Sequence, residues 1–374
     1  MTILLLFTHR WRAGQAGGAE THVINLIRGM SRRGHQVVFV TGAAVPAAGA
    51  SPEPVAAHYQ LPFQTLDPRD KFKAWSQLEE IVLRHAPQLI HAHHRTGGYY
   101  AEWMCRRHGI PYVVTVHDPW LSAPLKRFHG KMFRRLIAVS EFIRQGVIRR
   151  FHFPPEAVKT IHNGVDPARF AGVVPEDALR FRNQYGVRPD EVVLSLVGRI
   201  SRIKGHYDLI DALRLLPRDL NYQCLIVGEG KPRKHLENLV AASGLRERVT
   251  FCGYRPDIPV VMAGSDVVLL PSYREPFGLT LVEAMLSHKP VIASDMGGIP
   301  EIVTHNRDGL LVEPGNVTGL AQSIGEMVSD QQLRLRLSTA GYQTACNRFL
   351  LPTQIDATEA HYHETMGNAI VPFG

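Results

Sequence analysis

Short apolar runs alternate with helical patterns through the first half of the chain. Between the runs lie amphipathic stretches such as the one from Glu20 to Arg33, whose apolar residues form one stripe. Alternation of this kind is typical of a parallel sheet covered by helices. The strands predicted for this first series are 2–8, 36–41, 87–92, 111–116, 135–139 and 158–162.

A second series of the same kind begins after a polar, proline-bearing stretch around 166–190. Its predicted strands are 192–197, 222–227, 248–252, 266–270 and 290–294, and helical patterns at about 316–347 and 353–366 close the chain with no strand between them. At 374 residues the chain exceeds the size at which single cores usually stop growing. We therefore expect an α/β protein with domains 1–165 and 166–347, and a C-terminal helix within 348–374 that packs back on the first domain.

The composition indicates a reducing environment. Four cysteines lie far apart and form no CxxC pair, which argues against a disulfide framework or a thiolate zinc site. The N-terminal apolar run lacks a cationic region before it and is followed at once by His9 and Arg10, so we expect a first strand rather than a signal peptide. No apolar run approaches the length of a membrane span, and a cytoplasmic location is expected.

Positive charge is concentrated in the first half. Residues 1–165 hold 21 Lys/Arg against 10 Asp/Glu, whereas the remainder holds 21 against 24. This density suits an anionic membrane surface or a phosphorylated acceptor, although a solvated basic face fits equally well. Nucleic acid is not expected, because no interleaved aromatics accompany the charges. The basic residues concerned are Lys126, Arg127, Lys131, Arg134, Arg135, Arg144, Arg149 and Arg150.

Two glutamates follow the predicted strand 266–270. Pro276 suits the first position of a helix, where a missing N–H costs nothing, so we expect the helix to begin there with Glu275 near its cap. At about 1.5 Å of rise per residue, Glu283 would lie about 10 Å further along the axis. Helix amides between two carboxylates suit a phosphate between hydroxyl-bearing groups, as in a nucleoside diphosphate sugar. A solvated pair, or the two carboxylates of an inverting glycoside hydrolase, fits the same spacing.

Cations and glycines follow other predicted strands. Arg199 and Lys204 flank a short glycine-bordered loop before a helix, from which both can reach a diphosphate. Gly17 and Gly18 precede the first helix, and Gly297 with Gly298 ends a later strand, so backbone amides can approach a ligand there. Each glycine turn is also explained by a tight strand-to-helix connection.

Histidines follow two strands of the first series. His117 comes directly after strand 111–116, where an imidazole can position an acceptor or a sugar hydroxyl, or can be structural. The run from His91 to His94 offers metal ligands but has no accompanying carboxylate motif. We therefore expect no metal site.

In their order along the chain, these features resemble the retaining glycosyltransferases of family 4, which have the GT-B fold. The motifs that carry the resemblance are Gly198-Arg199 with Lys204, Gly228-Glu229-Gly230, the stretch from Glu275 to Glu283, Gly297-Gly298-Ile299-Pro300-Glu301, Gly17-Gly18-Ala19-Glu20, His117, Ala138-Val139-Ser140 and His162-Asn163-Gly164-Val165-Asp166.

The resemblance implies two Rossmann-like, doubly wound domains that face each other across a cleft, the first for the acceptor and the second for the donor. Arg199 and Lys204 would bind the donor diphosphate, and Glu275 would contact the transferred sugar. His117 would lie beside the reacting centre. The donor-binding residues that it implies are Gly17, Gly18, Arg199, Lys204, Glu275, Gly278, Leu279, Glu283, Gly297 and Gly298.

The activity so implied is transfer of a hexose from a UDP- or GDP-sugar to a hydroxyl of a glycan or lipid-linked acceptor, with retention at the anomeric carbon and without a metal or other cofactor. Cell-surface polysaccharide or lipopolysaccharide biosynthesis is the expected setting, and the basic first domain suggests peripheral attachment to the inner face of the plasma membrane. A non-catalytic module that binds a sugar nucleotide or lipid, and a glycoside hydrolase, are the alternatives.

Overall fold

The computed structural model describes residues 1–8, 17–42, 55–63, 67–118, 133 and 135–367. The chain forms two compact units. Unit 1 comprises Met1–Asn163 and Leu351–Gly374, and unit 2 comprises Gly164–Leu350. The units divide after Asn163 and after Leu350, whereas the sequence predicted boundaries at 165 and 347.

The described strands of unit 1 form a seven-stranded parallel sheet in the order β3, β2, β1, β4, β5, β6, β7. β1 lies between β2 and β4, so the direction of winding reverses beside it. Open α/β sheets bind ligands at the carboxyl ends of strands at such a reversal. The strands are β1 (Thr2–Phe7), β2 (Gln36–Thr41), β3 (Ala57–Gln60), β4 (Leu89–His93), β5 (Tyr112–Val116), β6 (Leu136–Ala138) and β7 (Val158–Thr160).

The described helices of unit 1 are α1 (Gly18–Arg32), α2 (Pro68–His85), α3 (His94–His108), α4 (Glu141–Phe151) and, from the end of the chain, α12 (Leu351–Gly367). Helix α12 packs on α1 and on the sheet. Gly29 of α1 lies against the side chain of Ile355, and Arg33 donates a 2.5 Å hydrogen bond to Glu359. The hydroxyl of Tyr362 lies 2.5 Å from Nδ1 of His91, so the last helix is anchored in the core of unit 1.

Unit 2 repeats the architecture with a six-stranded parallel sheet in the order β10, β9, β8, β11, β12, β13. Its core lies between the sheet and the helices, where Leu196 and Leu269 join one apolar cluster with Ile210 and Ile324. The elements are β8 (Val192–Val197), β9 (Tyr222–Val227), β10 (Val249–Gly253), β11 (Val267–Leu270), β12 (Val291–Ser294), β13 (Leu310–Val312), α5 (Pro175–Gln184), α6 (His206–Leu215), α7 (Arg233–Ala242), α8 (Ile258–Gly264), α9 (Leu279–Leu286), α10 (Val317–Ser329) and α11 (Gln331–Arg348).

The predicted α/β class with two parallel sheets is confirmed, and two edge strands were missed. β3 alternates exposed and half-buried residues, and the apolar run of β13 is only three residues long, so neither forms the longer apolar run that identifies a buried strand. The predicted helix 316–347 is two helices, because the side chain of Asp330 accepts a hydrogen bond from Leu333 N and caps a new one.

None of the described helices is both long and apolar enough to cross a membrane. Of the predicted basic cluster, Lys126, Arg127, Lys131 and Arg134 lie outside the described residues.

The close approach of α1 and α12 predicts a cost for any side chain at Gly29. An added Cβ would lie 2.4 Å from Cδ1 of Ile355, so we expect Gly29→Ala to lower the free energy of unfolding of unit 1 by about 1–3 kcal/mol. Urea denaturation monitored by circular dichroism measures this free energy of unfolding. The matched control is Gly325→Ala inside α10, where the nearest atom is 3.9 Å away and stability should rise slightly. Equal stability of the two variants would contradict the packing described.

Candidate active site

The carboxyl edge of the unit 2 sheet brings three loops together. Strands β8, β11 and β12 are hydrogen-bonded neighbours, so the loops that leave their carboxyl ends emerge side by side. These loops are residues 198–205, 271–278 and 295–298. They contain most of the residues expected to bind a donor.

The loop after β8 is held against the loop after β11. Its residues Arg202–Lys204 form one 3-10 turn, which ends at Gly205 with φ 72°. A Cβ at Gly205 would lie 1.8 Å from the carbonyl oxygen of Pro271, so a side chain there would force the loops apart. The amide of Tyr273 also donates a 2.8 Å hydrogen bond to the carbonyl of Ile203. The position of Lys204 is therefore fixed by backbone contacts.

Lys204 and Glu275 form an ion pair. Nζ of Lys204 lies 2.5 Å from Oε2 of Glu275, and the glutamate is buried. Arg199, in contrast, is exposed and makes no hydrogen bond or ion pair within the described part of the chain. The loop after β8 thus carries one cation paired with a carboxylate and a second cation open to solvent.

The loop after β12 fixes the backbone of Glu275. The carbonyl of Glu275 accepts a 2.9 Å hydrogen bond from the amide of Gly298. Gly297 has φ 62°, and a Cβ on it would lie 2.1 Å from the same carbonyl oxygen. The two glycines predicted to approach a ligand therefore also allow two loops to touch.

The predicted start of helix α9 at Pro276 was wrong. The helix begins at Leu279, with Gly278 as its N-cap at φ 118°. The carbonyl of Glu275 accepts its hydrogen bond from Gly298 of the neighbouring loop, and Gly278 has a positive φ that an α-helix does not contain, so residues 275–278 form a loop. Glu275 therefore precedes the helix, and the straight axial separation from Glu283 assumed from the sequence does not apply.

Glu283 lies in the second turn of α9 and pairs with a cation that the sequence did not single out. Nη1 of Arg169 donates a 3.0 Å hydrogen bond to Oε1 of Glu283. Burial raises the pKa of the Glu283 carboxyl, and the charge of Arg169 opposes that rise. Arg169 ends a 3-10 turn whose N-cap, Asp166, is the last residue of the His162–Asp166 motif. Its position directly after that motif was the available signal.

A buried histidine, His206, is hydrogen-bonded to the loop that carries Lys204. Its Nδ1 donates to the carbonyl of Ser201 at 3.1 Å, and the ring is fully buried at the start of α6. Burial lowers the pKa of His206 to about 4; the hydrogen bond to Ser201 opposes this, and the charge of Lys204 lowers it further. A neutral imidazole therefore lies beneath the loop.

The remaining predicted site residues lie in unit 1. Gly17 is the N-cap of α1, and its amide donates a 3.0 Å hydrogen bond to Oε2 of Glu20. Both Gly17 and Gly18 are exposed. His117 follows β5 and is buried. Its Nε2 lies 3.0 Å from Nδ1 of His93, the last residue of β4. The structure thus couples His117 to a second histidine that sequence reasoning had not linked to it.

A third histidine packs edge-on against His117. The ring centroids of His22 and His117 are 4.8 Å apart, and Nδ1 of His22 lies 2.7 Å from Oδ1 of Asn163. Burial lowers the pKa of His22 to about 4, despite the hydrogen bond to Asn163, and burial also lowers the pKa of His93 well below its usual value. The neighbouring His91 serves the core instead, between Tyr362 and Thr115.

The solved structure of Anabaena HepE in complex with UDP and glucose is similar to this chain. It aligns with a TM-score of 0.84 and 27% identity over 97% of this chain and all of that one. With two doubly wound units, this likeness shows that the chain has the GT-B fold, as expected from the sequence.

Two family matches and two curated relatives define the family. Residues 16–169 match Glycosyltransferase Family 4 and residues 177–344 match Glycosyl transferases group 1. The chain belongs to the family 4 glycosyltransferases. It is 30% identical to the D-inositol 3-phosphate glycosyltransferase of Mycobacteroides abscessus, over 84% of this chain and 78% of the relative. It is 26% identical to the N-acetyl-alpha-D-glucosaminyl L-malate synthase of Bacillus anthracis, over 94% of each.

The depressed pKa of His206 predicts acid sensitivity in unit 2. Below pH 6.5 the imidazole of His206 is protonated in the unfolded chain but stays neutral in the folded protein until the pH approaches about 4. The contribution of His206 to stability is therefore complete above pH 6.5 and is lost as the pH falls toward about 4. Between pH 7 and pH 4, the free energy of unfolding of His206→Asn should fall by about 3 kcal/mol less than that of the natural protein, as measured by urea unfolding. His235→Asn, at an exposed site on α7, should behave like the natural protein. Parallel pH profiles for all three proteins would contradict the burial of His206 as a neutral ring.

Proposed function

We propose that unit 2 binds a nucleoside diphosphate sugar through the two cation–carboxylate pairs at the carboxyl edge of its sheet. The observation that carries this is the pairing of Lys204 with Glu275 at 2.5 Å and of Arg169 with Glu283 at 3.0 Å. A diphosphate recruits cations, and sugar and ribose hydroxyls recruit carboxylates, so one donor satisfies both kinds of group. The solved structure of HepE, to which this chain is similar, contains UDP and glucose.

Each residue then has a defined role. Lys204 and the exposed Arg199 bind the diphosphate, while Glu275 is released to contact the transferred sugar. Glu283, held by Arg169, binds the ribose hydroxyls. The amides of Gly278 and Leu279 at the start of α9, and the backbone of Gly297 and Gly298, line the same edge for the phosphate and sugar. In unit 1, Gly17 and Gly18 contact the diphosphate or acceptor, and His117 positions a hydroxyl at the reacting centre.

The proposed reaction retains the anomeric configuration. The bond from the anomeric carbon to the diphosphate oxygen breaks, and the acceptor oxygen bonds to that carbon on the same face. The acceptor proton passes to the departing phosphate oxygen, so no protein base is required. Positive charge from Arg199 and Lys204 stabilises the leaving diphosphate, and transfer proceeds without a metal ion.

The acceptor is proposed from charge. The excess of Lys and Arg in residues 1–165 suits a hydroxyl on a phosphorylated or lipid-linked glycan, as in cell-surface polysaccharide or lipopolysaccharide synthesis. Peripheral attachment to an anionic inner membrane follows from the same charge. A relative from Mycobacteroides abscessus is named for a phosphorylated acceptor, inositol 3-phosphate.

Removing either proposed diphosphate ligand should depress transfer. We expect Arg199→Ala and Lys204→Ala each to lower kcat about 10²–10³-fold, because each removes charge that stabilises the leaving group. Lys234→Ala is the matched control, since its ammonium is exposed on α7. The donor is first selected by thermal shift with UDP-, GDP- and ADP-sugars, and release of nucleoside diphosphate is then measured with acceptors. Near-normal transfer by both variants would contradict the proposal.

The proposed stereochemistry has its own test. The glycosidic linkage formed from an α-linked donor should be α, as read from the anomeric proton coupling in the NMR spectrum of the product. A β-linked product would exclude same-face attack while leaving donor binding by unit 2 intact.

A further inference from the structure

Three buried imidazoles from three separate elements of unit 1 converge on one point. His22 comes from α1, His93 ends β4, and His117 follows β5. One nitrogen of each ring lies within 4.8 Å of the others. The spacing along the sequence gives no sign of this group, because 71 and 24 residues separate its members.

The spacing of the nitrogens is close to that of metal ligands. Two imidazole nitrogens that bind one tetrahedral ion at 2.0–2.1 Å lie about 3.3 Å apart. Nδ1 of His93 and Nε2 of His117 are already 3.0 Å apart. The third nitrogen lies no more than 4.8 Å away, so binding of an ion requires it to approach by at most about 1.5 Å.

The outer contacts of His22 prepare it as a ligand. Nδ1 of His22 lies 2.7 Å from the amide oxygen of Asn163, which only accepts, and 3.1 Å from the amide nitrogen of Gln354, which only donates. The shorter contact favours a proton on Nδ1, which leaves a lone pair on Nε2 of the neutral ring. Metal-bound histidines are oriented by this kind of hydrogen bond from the other ring nitrogen.

Two nitrogens of the group are left without partners. Nε2 of His22 and Nε2 of His93 are both buried, and neither has a hydrogen-bond partner among the described residues. A buried polar atom without a partner costs roughly 1–3 kcal/mol, so such atoms call for an explanation. A ligand that accepts an imidazole lone pair provides one for His22.

We propose that His22, His93 and His117 form a site for a divalent transition-metal ion in unit 1. Three imidazoles without a thiolate select Zn²⁺, Co²⁺, Ni²⁺ or Cu²⁺ rather than Mg²⁺ or Ca²⁺, which prefer oxygen ligands. They leave a fourth position, which a water or an anion occupies.

Occupancy of this site withdraws His117 from substrates. This consequence rests on the proposed role of His117 in transfer: a ring held by a metal ion cannot turn toward a hydroxyl, so bound Zn²⁺ inhibits an enzyme whose proposed reaction needs no metal. The site is therefore a means of inhibition rather than part of the catalytic machinery.

The test uses Co²⁺ as a spectroscopic probe on the full chain without an affinity tag. We expect the metal-free protein to bind one Co²⁺ with visible absorption bands typical of a tetrahedral site, and Zn²⁺ to displace it. His22→Gln and His93→Gln should each abolish the bands, and Asn163→Ala should weaken binding about 10- to 100-fold. His363→Gln, an exposed histidine on α12, is the matched control and should bind like the natural protein.

Thermal melting in EDTA checks that each variant is folded. Absence of stoichiometric Co²⁺ binding by the natural protein, or bands that survive both His22→Gln and His93→Gln, would overturn the site. Zn²⁺ should also lower the transfer rate of the natural protein, with full recovery on adding EDTA. Donor binding and transfer in metal-free buffer are measured separately, so failure of the proposed transfer reaction is distinguished from failure of the metal site.

Discussion

The candidate donor site depends on backbone packing between the loops at the carboxyl edge of unit 2. Gly205 approaches Pro271 and Gly297 approaches Glu275 so closely that a Cβ at either glycine would lie about 2 Å from a carbonyl oxygen. These contacts fix the positions of the loops after β8, β11 and β12 relative to one another. Lys204 and Glu275 are far apart in sequence, so their ion pair depends on this arrangement of the loops.

The two ion pairs explain how charged side chains are tolerated in a partly buried site. A buried carboxylate without a partner is costly, and Glu275 and Glu283 each have a cation that reduces this cost. In the proposed complex, phosphate oxygens replace Glu275 as the partner of Lys204, and sugar hydroxyls replace Lys204 as the partner of Glu275. Donor binding as proposed is therefore an exchange of partners that leaves no charge unpaired.

Much of this arrangement could be predicted from the sequence. Apolar runs identified the buried strands, and because parallel strands share one carboxyl edge, the residues after them were expected to cluster. The edge strands β3 and β13 escaped because they lack such runs. The helix start at Pro276 was wrong because a tertiary hydrogen bond, from Gly298 to Glu275, overrides local preference. Arg169 and the histidine partners of His117 were missed because contacts between residues distant in sequence leave no periodic signal.

The most direct test is a crystal structure of the protein with a bound nucleoside diphosphate sugar. We expect diphosphate oxygens within hydrogen-bond distance of Nζ of Lys204, ribose hydroxyls on the carboxylate of Glu283, and Glu275 turned from Lys204 toward the sugar. A nucleotide bound away from the carboxyl edge of unit 2, with the pair between Lys204 and Glu275 intact, would contradict the assignment of the donor site.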